Sequence, residues 1–174
     1  MKTDFEIKTG NWLLVAGSRA IVPTLDRMIG RLAESGPVRV VDCGYMFDIF
    51  IAGQWNHGGM DALDRIKVYN AFDCHEMLSV LESLEAGPAP FVVLDLLRTF
   101  YYPNVHIEER KRLLGLCLEH LDRLEKGAGG LVSLHLPKVL CQAEAELLEM
   151  VTRAAKATYH VETAATALSE VRVF

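Results

Sequence analysis

The chain has 174 residues, 51% of them apolar, and a net charge of −5. It is long enough for one domain with a sizeable core, and its acidic balance excludes nucleic-acid binding driven by whole-molecule charge. Four widely spaced cysteines, with no CxxC pair, read as buried thiols in a cytoplasmic protein rather than a disulfide framework or a zinc site.

The opening MKTDFEIKTG lacks the apolar stretch of a signal peptide, and no apolar run approaches the ~18 residues of a membrane span. Asn11 to Ala16, NWLLVA, reads as a buried strand. Leu25, Met28, Ile29 and Leu32 then recur at helical spacing, and Ser35-Gly36-Pro37 ends that helix. VRVVDC, Val38 to Cys43, is a second strand. Tyr45 to Trp55 reads as a short helix, and RIKVY, Arg65 to Tyr69, as a third strand. Asp73 with Glu76 three residues on forms a capping box for the next helix. FVVLDLL, Phe91 to Leu97, is the strongest strand signal, and RTFYYPNV after it reads as a loop. A long helix from about His106 to Lys126 ends at Gly127, Gly129 and Gly130. LVSLHL, Leu131 to Leu136, is a fifth strand and Gln142 to Ala154 a helix. ATYHVET and EVRVF read as two terminal strands.

Continuous apolar strands separated by helices predict a single α/β domain over residues 1–174, three-layered α/β/α, with a mostly parallel central sheet. Ligands in such folds bind beyond the carboxyl ends of the strands. The first of those ends is the stretch Gly17-Ser18-Arg19-Ala20-Ile21-Val22-Pro23-Thr24. Against the phosphate-binding pattern GxxxxGK[ST] it keeps the first glycine and the final hydroxyl. The second glycine is Val22 and the lysine is Pro23. A β-branched residue resists positive φ, and proline has neither an amide hydrogen nor a charge. Two readings stand. The loop is a degenerate cradle with Arg19 as a phosphate partner, or it is a turn in which Pro23 opens a helix.

Further segments carry a family resemblance. VRVVDCGYMF is similar to the second strand of RecA-type recombinases, with a pattern like YIDTEGTF, through Asp42 and Phe47. RIKVYNAFDCHEMLSVL resembles the family stretch like ARAFNTDHQ, through Ala71, Phe72 and His75. FVVLDLLRTFYY resembles the strand bearing the metal-linked aspartate, here Asp95. ERKRLLGLCLEHLDRL and LVSLHLP resemble the leucine-rich helix and the strand after it, with Ser133 and His135 at polar positions. Together these cover about residues 11 to 138 and imply a RecA-like P-loop NTPase fold.

The resemblance implies a vestigial nucleotide site of Gly17, Ser18, Arg19, Thr24, Asp95 and His135, with Asp95 as the metal-linked residue. It also exposes two losses. The family's water-activating glutamate falls on Gly44, and its loop lysine on Pro23. Phosphoryl transfer rests on positioning and charge, so these losses cost on the order of thousands-fold in rate or more. The expectation is a domain without ATP hydrolysis and without catalytic residues. It has no required cofactor, beyond weak ATP or magnesium binding, and acts through a protein partner or self-association in DNA recombination or repair. DNA would be met only indirectly, and a membrane not at all. The competing expectation is a metal-dependent hydrolase or nuclease using Asp42, Asp48, Asp95 and His135.

Overall fold

The computed structural model describes residues 10–54, 57, 59–161 and 172–173. Among these residues seven strands form one sheet in the order β3-β2-β4-β5-β1-β6-β7. They are β1 (Trp12–Gly17), β2 (Val38–Asp42), β3 (Ile66–Asn70), β4 (Phe91–Leu94), β5 (Gly130–His135), β6 (Ala157–Val161) and β7 (Arg172–Val173). Every pairing among β1 to β6 is parallel, and β7 runs antiparallel to β6. The helices are α1 (Val22–Ser35), α2 (Ile49–Gln54), α3 (Met60–Leu63), α4 (Cys74–Ser83), α5 (Ile107–Glu125) and α6 (Gln142–Ala154).

Side chains alternate across a strand, so a sheet covered on both sides must split its apolar residues between two cores. It does so here. Leu14, Val41, Val93 and Val132 face Met77 and Leu81 of α4, Leu114 and Leu121 of α5, and Leu147 and Val151 of α6. The intervening Val15, Val40, Val92 and Leu131 face Leu25 and Ile29 of α1. The result is three layers, with α1 on one side of the sheet and α4, α5 and α6 on the other. Against α1 pack α2 and α3.

Two polar links tie strands to the layers. The Trp12 indole Nε1 donates to Asp122 Oδ1 at 3.0 Å, joining β1 to α5. The buried Arg39 of β2 donates to the carbonyls of Glu85 and Ala89, fixing the loop before β4. On α1, Gly30 permits a close approach that any side chain would prevent. A Cβ there would stand 2.3 Å from the Ala52 carbonyl oxygen of α2.

The expected elements are present with three corrections. The helix expected over 45–55 spans Ile49–Gln54, because the chain from Cys43 to Phe47 is wound around the Asp42 carboxylate instead. The strand expected over 91–97 stops at Leu94. The backbone turns left-handed at Asp95 (φ 57°, ψ 53°) and continues as a 3-10 turn over Leu96–Phe100, which takes in part of the expected loop. Cys43, Cys74 and Cys117 are buried free thiols, whereas Cys141 is exposed. Of the two terminal strands, 162–171 and 174 lie outside the described residues. No helix among those residues is long and apolar enough to cross a membrane.

Candidate functional site

The carboxyl ends of β1, β2, β4 and β5 lie along one edge of the sheet. Gly17 is in register with His135, and Asp42 with Leu94, one residue short of Asp95. The fold brings Gly17, Asp95 and His135 close together. What each group does there is set by its hydrogen bonds.

The connection from β1 to α1 is a tight turn. Arg19–Ile21 form a 3-10 turn, in which the Ile21 amide donates to the Ser18 carbonyl at 3.1 Å and the Val22 amide to the Arg19 carbonyl. Val22 is right-handed helical (φ −53°, ψ −49°) and Pro23 follows within the first turn of α1. Two consecutive amides are thus consumed inside the turn, and the next residue has none. The Ile21 side chain is buried in the α1 core, which draws the turn down onto the sheet. Of the two readings of this stretch, the geometry is that of the helix-opening turn. Thr24 is half-buried in the first turn of α1, and Arg19 is exposed.

Asp42 is 3% exposed and is already engaged. Its Oδ1 accepts from the amides of Gly44 (3.1 Å) and Met46 (3.0 Å), and its Oδ2 from that of Phe47 (3.0 Å). Three amide bonds to one carboxylate organise the whole turn after β2. Tyr45, held at φ 52° within that turn, is 77% exposed, and its ring lies 5.0 Å from that of Phe72. Asp48 begins α2, accepting from the amides of Phe50 and Ile51 on Oδ1.

Asp95 is also 3% exposed and acts as a clamp between β4 and β5. Its amide donates to Ser133 Oγ at 3.0 Å, and its Oδ1 accepts from the His135 amide at 3.0 Å. The parallel pairing of β4 with β5 ends at Val93 and Val132, so these bonds extend the strand contact beyond the ladder. Burial pushes the Asp95 carboxyl above its ordinary range; the His135 amide pulls it back, as do the charges of His135, Arg98 and Arg19. His135 Nδ1 is buried with no hydrogen-bond partner.

Asp42 and Asp95 are bonded to different partners, the turn after β2 and the His135 amide respectively. The buried Cys43 thiol lies within the influence of both, and burial with those two charges pushes it well above its ordinary value. Among the described residues no group of three or more His, Cys, Asp or Glu side chains is placed to hold a metal ion.

Two residues absent from the sequence reading matter here. Arg98, in the 3-10 turn after Asp95, lies against Gly44. Asp26 of α1 is fully buried with both carboxylate oxygens unpartnered. Its signal was present: Asp26, Ile29, Gly30 and Ala33 fall on one helical stripe, so an acid stands in an apolar face. Nothing local in the sequence marks Arg98. No protein-family model matches the chain, and no curated protein matches it.

Proposed function

We propose that the chain is a RecA-like domain that has lost ATP hydrolysis and works as a binding or assembly partner, in DNA recombination or repair. The fold supports this reading at the level of class alone: a mostly parallel sheet between helical layers. The observation that carries it is the consumed turn after β1. A triphosphate cradle needs backbone amides free to converge on phosphate oxygens. Here the Ile21 and Val22 amides are bonded within the turn and Pro23 has none. The neighbouring chemistry is altered in the same direction. Arg98 lies against Gly44 where a water-activating acid would be needed, and Asp95 is committed to β5. What the helix dipole and Arg19 still offer an anion amounts to weak nucleotide binding.

Several large apolar side chains are exposed: Tyr45 and Phe72, whose rings pack together, with Ile49, Phe50, Met60 and Val68. They favour a role exercised through protein contacts. The metal-dependent hydrolase reading has less support, because both Asp42 oxygens are held by amides.

Calorimetry with ATP and magnesium tests the reading, alongside a steady-state phosphate-release assay on the same preparation. The expected result is no binding tighter than about millimolar and no turnover. Sustained hydrolysis abolished by Asp95→Ala would overturn it. Co-purification from the source cell then identifies the partner.

A further inference from the structure

Asp26 is the one carboxylate among the described residues that is buried with neither oxygen bonded. A buried carboxylate without partners is unfavourable in its charged form, whereas the neutral acid is tolerated. Its surroundings add to this. The Asp48 and Asp42 charges both act against ionisation, and burial, the larger effect, raises the carboxyl to about 7. The Asp48 amide offsets part of the rise without being aligned for a hydrogen bond to either oxygen.

Among the described residues no cation is hydrogen-bonded to Asp26, and Arg65, which reaches α1 from the segment before β3, donates to the Ala33 and Glu34 carbonyls. The α2 helix, IFIAGQ, carries no ionisable side chain, and Asp48 precedes it. The α3 helix carries Asp61, which is exposed. Arg19, on the turn leading into α1, is exposed, and Arg39 of β2 is bonded to the Glu85 and Ala89 carbonyls. None of these three is hydrogen-bonded to either Asp26 oxygen.

The helix that follows Asp48 is also lightly held. The α2 helix packs on α1 and α3, and Ala52 is its only buried residue. That residue meets α1 at Gly30, one turn along from Asp26, where the backbones approach too closely for a side chain. The segment leading into α2 presents Tyr45, and α2 itself presents Ile49 and Phe50.

We propose that Asp26 is a protonation latch: its neutral carboxyl lets α2 lie on α1, and its ionisation releases the segment Asp48–Gln54. The latch closes on the acid side and opens on the alkaline side, because the closed form is the one that holds the proton. Opening changes how Ile49 and Phe50 are displayed, so a contact made through them becomes pH-dependent. The inference stands on Asp26 and α2 alone and is independent of the recombinase reading.

Amide hydrogen exchange of 49–54 tests it, corrected for the intrinsic pH dependence of exchange and measured at about pH 5.5 and about pH 8.5. In the wild-type chain, protection of these amides is expected to fall about tenfold or more across that interval, while β4 and β5 keep theirs. Asp26→Asn, neutral at both pH values, and Asp26→Leu, apolar and of similar size, should each flatten the response. A carbon-13 titration of the wild-type Asp26 carboxyl gives a readout that needs no variant, with a midpoint expected near neutrality. Unchanged protection in the wild type, an equal loss in both variants, or an Asp26 midpoint in the ordinary carboxylate range would each overturn the latch.

Discussion

The side chain of Arg98 lies directly against Gly44. A Cβ built on Gly44 would stand 2.5 Å from Arg98 Cδ and 2.6 Å from Nε. The absence of a side chain at Gly44 is therefore matched by a cation filling the space beside it, and the two features form a single arrangement. Gly44→Ala forces the arginine aside. Since the atoms met are the outer part of a flexible chain, the cost is about 1 kcal/mol, read as a lowered midpoint in urea. Gly44→Glu sets a carboxylate against the guanidinium, and it should yield no ATP turnover in a phosphate-release assay. Turnover gained by that one change would mean that the turn after β1 holds nucleotide after all.

Asp42 gives a second test. Its carboxylate receives three amide hydrogen bonds from the turn that follows β2. Asp42→Ala leaves those amides without their acceptor and should cost about 2–4 kcal/mol. Asp42→Asn keeps one oxygen, turns an amide donor toward another, and should fall between. Equilibrium unfolding measures both. A loss under about 0.5 kcal/mol for the alanine variant would show that the turn is organised by something else.

The layer order of this fold was legible because continuous apolar strands such as VRVVD and FVVL can only be buried on both faces, and helices must supply the cover. The turn after β1 was legible in part. Val22 and Pro23 oppose a cradle by their own conformational limits, but the consumption of the Ile21 and Val22 amides is a matter of tertiary geometry. The end of β4 is not legible in the sequence, because Leu96 and Leu97 look like strand residues. They are fully buried, yet they follow a left-handed Asp95 whose side chain takes over the strand contact, a substitution that apolar patterning does not register. Arg98 meets Gly44 across 54 positions of sequence, and no local pattern encodes such a meeting.

Asp26 makes the stability of the protein depend on pH with a definite sign. The folded chain holds its proton up to about pH 7, whereas the unfolded chain releases it near the ordinary value of 3.8. Between those values the folded state binds more protons, so this group's contribution falls as pH rises through the window and is flat on either side. With the whole structure intact, the span corresponds to about 4 kcal/mol. If α2 lifts away, the loss is capped at the free energy of that local opening, so a measured decline well below the full span is the signature of the latch. Urea titrations of the wild type and Asp26→Asn across pH 4 to about 8.5 separate this term from the other carboxylates. Parallel curves for the two proteins would remove Asp26 as its source.

Asp95 combines two demands that different substitutions pull apart. Its backbone is left-handed, which aspartate and asparagine tolerate better than alanine. Its Oδ1 accepts the His135 amide, which an asparagine oxygen can also do. As a clamp between β4 and β5, the residue should survive Asp95→Asn with a loss under about 1 kcal/mol, whereas Asp95→Ala strains the backbone and leaves the amide unpaired, costing about 2–3 kcal/mol. A magnesium-linked aspartate would behave otherwise, since asparagine lacks the charge that holds a hard cation and would lose metal-dependent stabilisation as completely as alanine. Thermal melts of the three proteins with and without millimolar magnesium therefore decide the role. Graded melting in the order wild type, asparagine, alanine, indifferent to the metal, identifies the clamp; a wild-type melt raised by magnesium, with both variants insensitive to it, identifies the ligand.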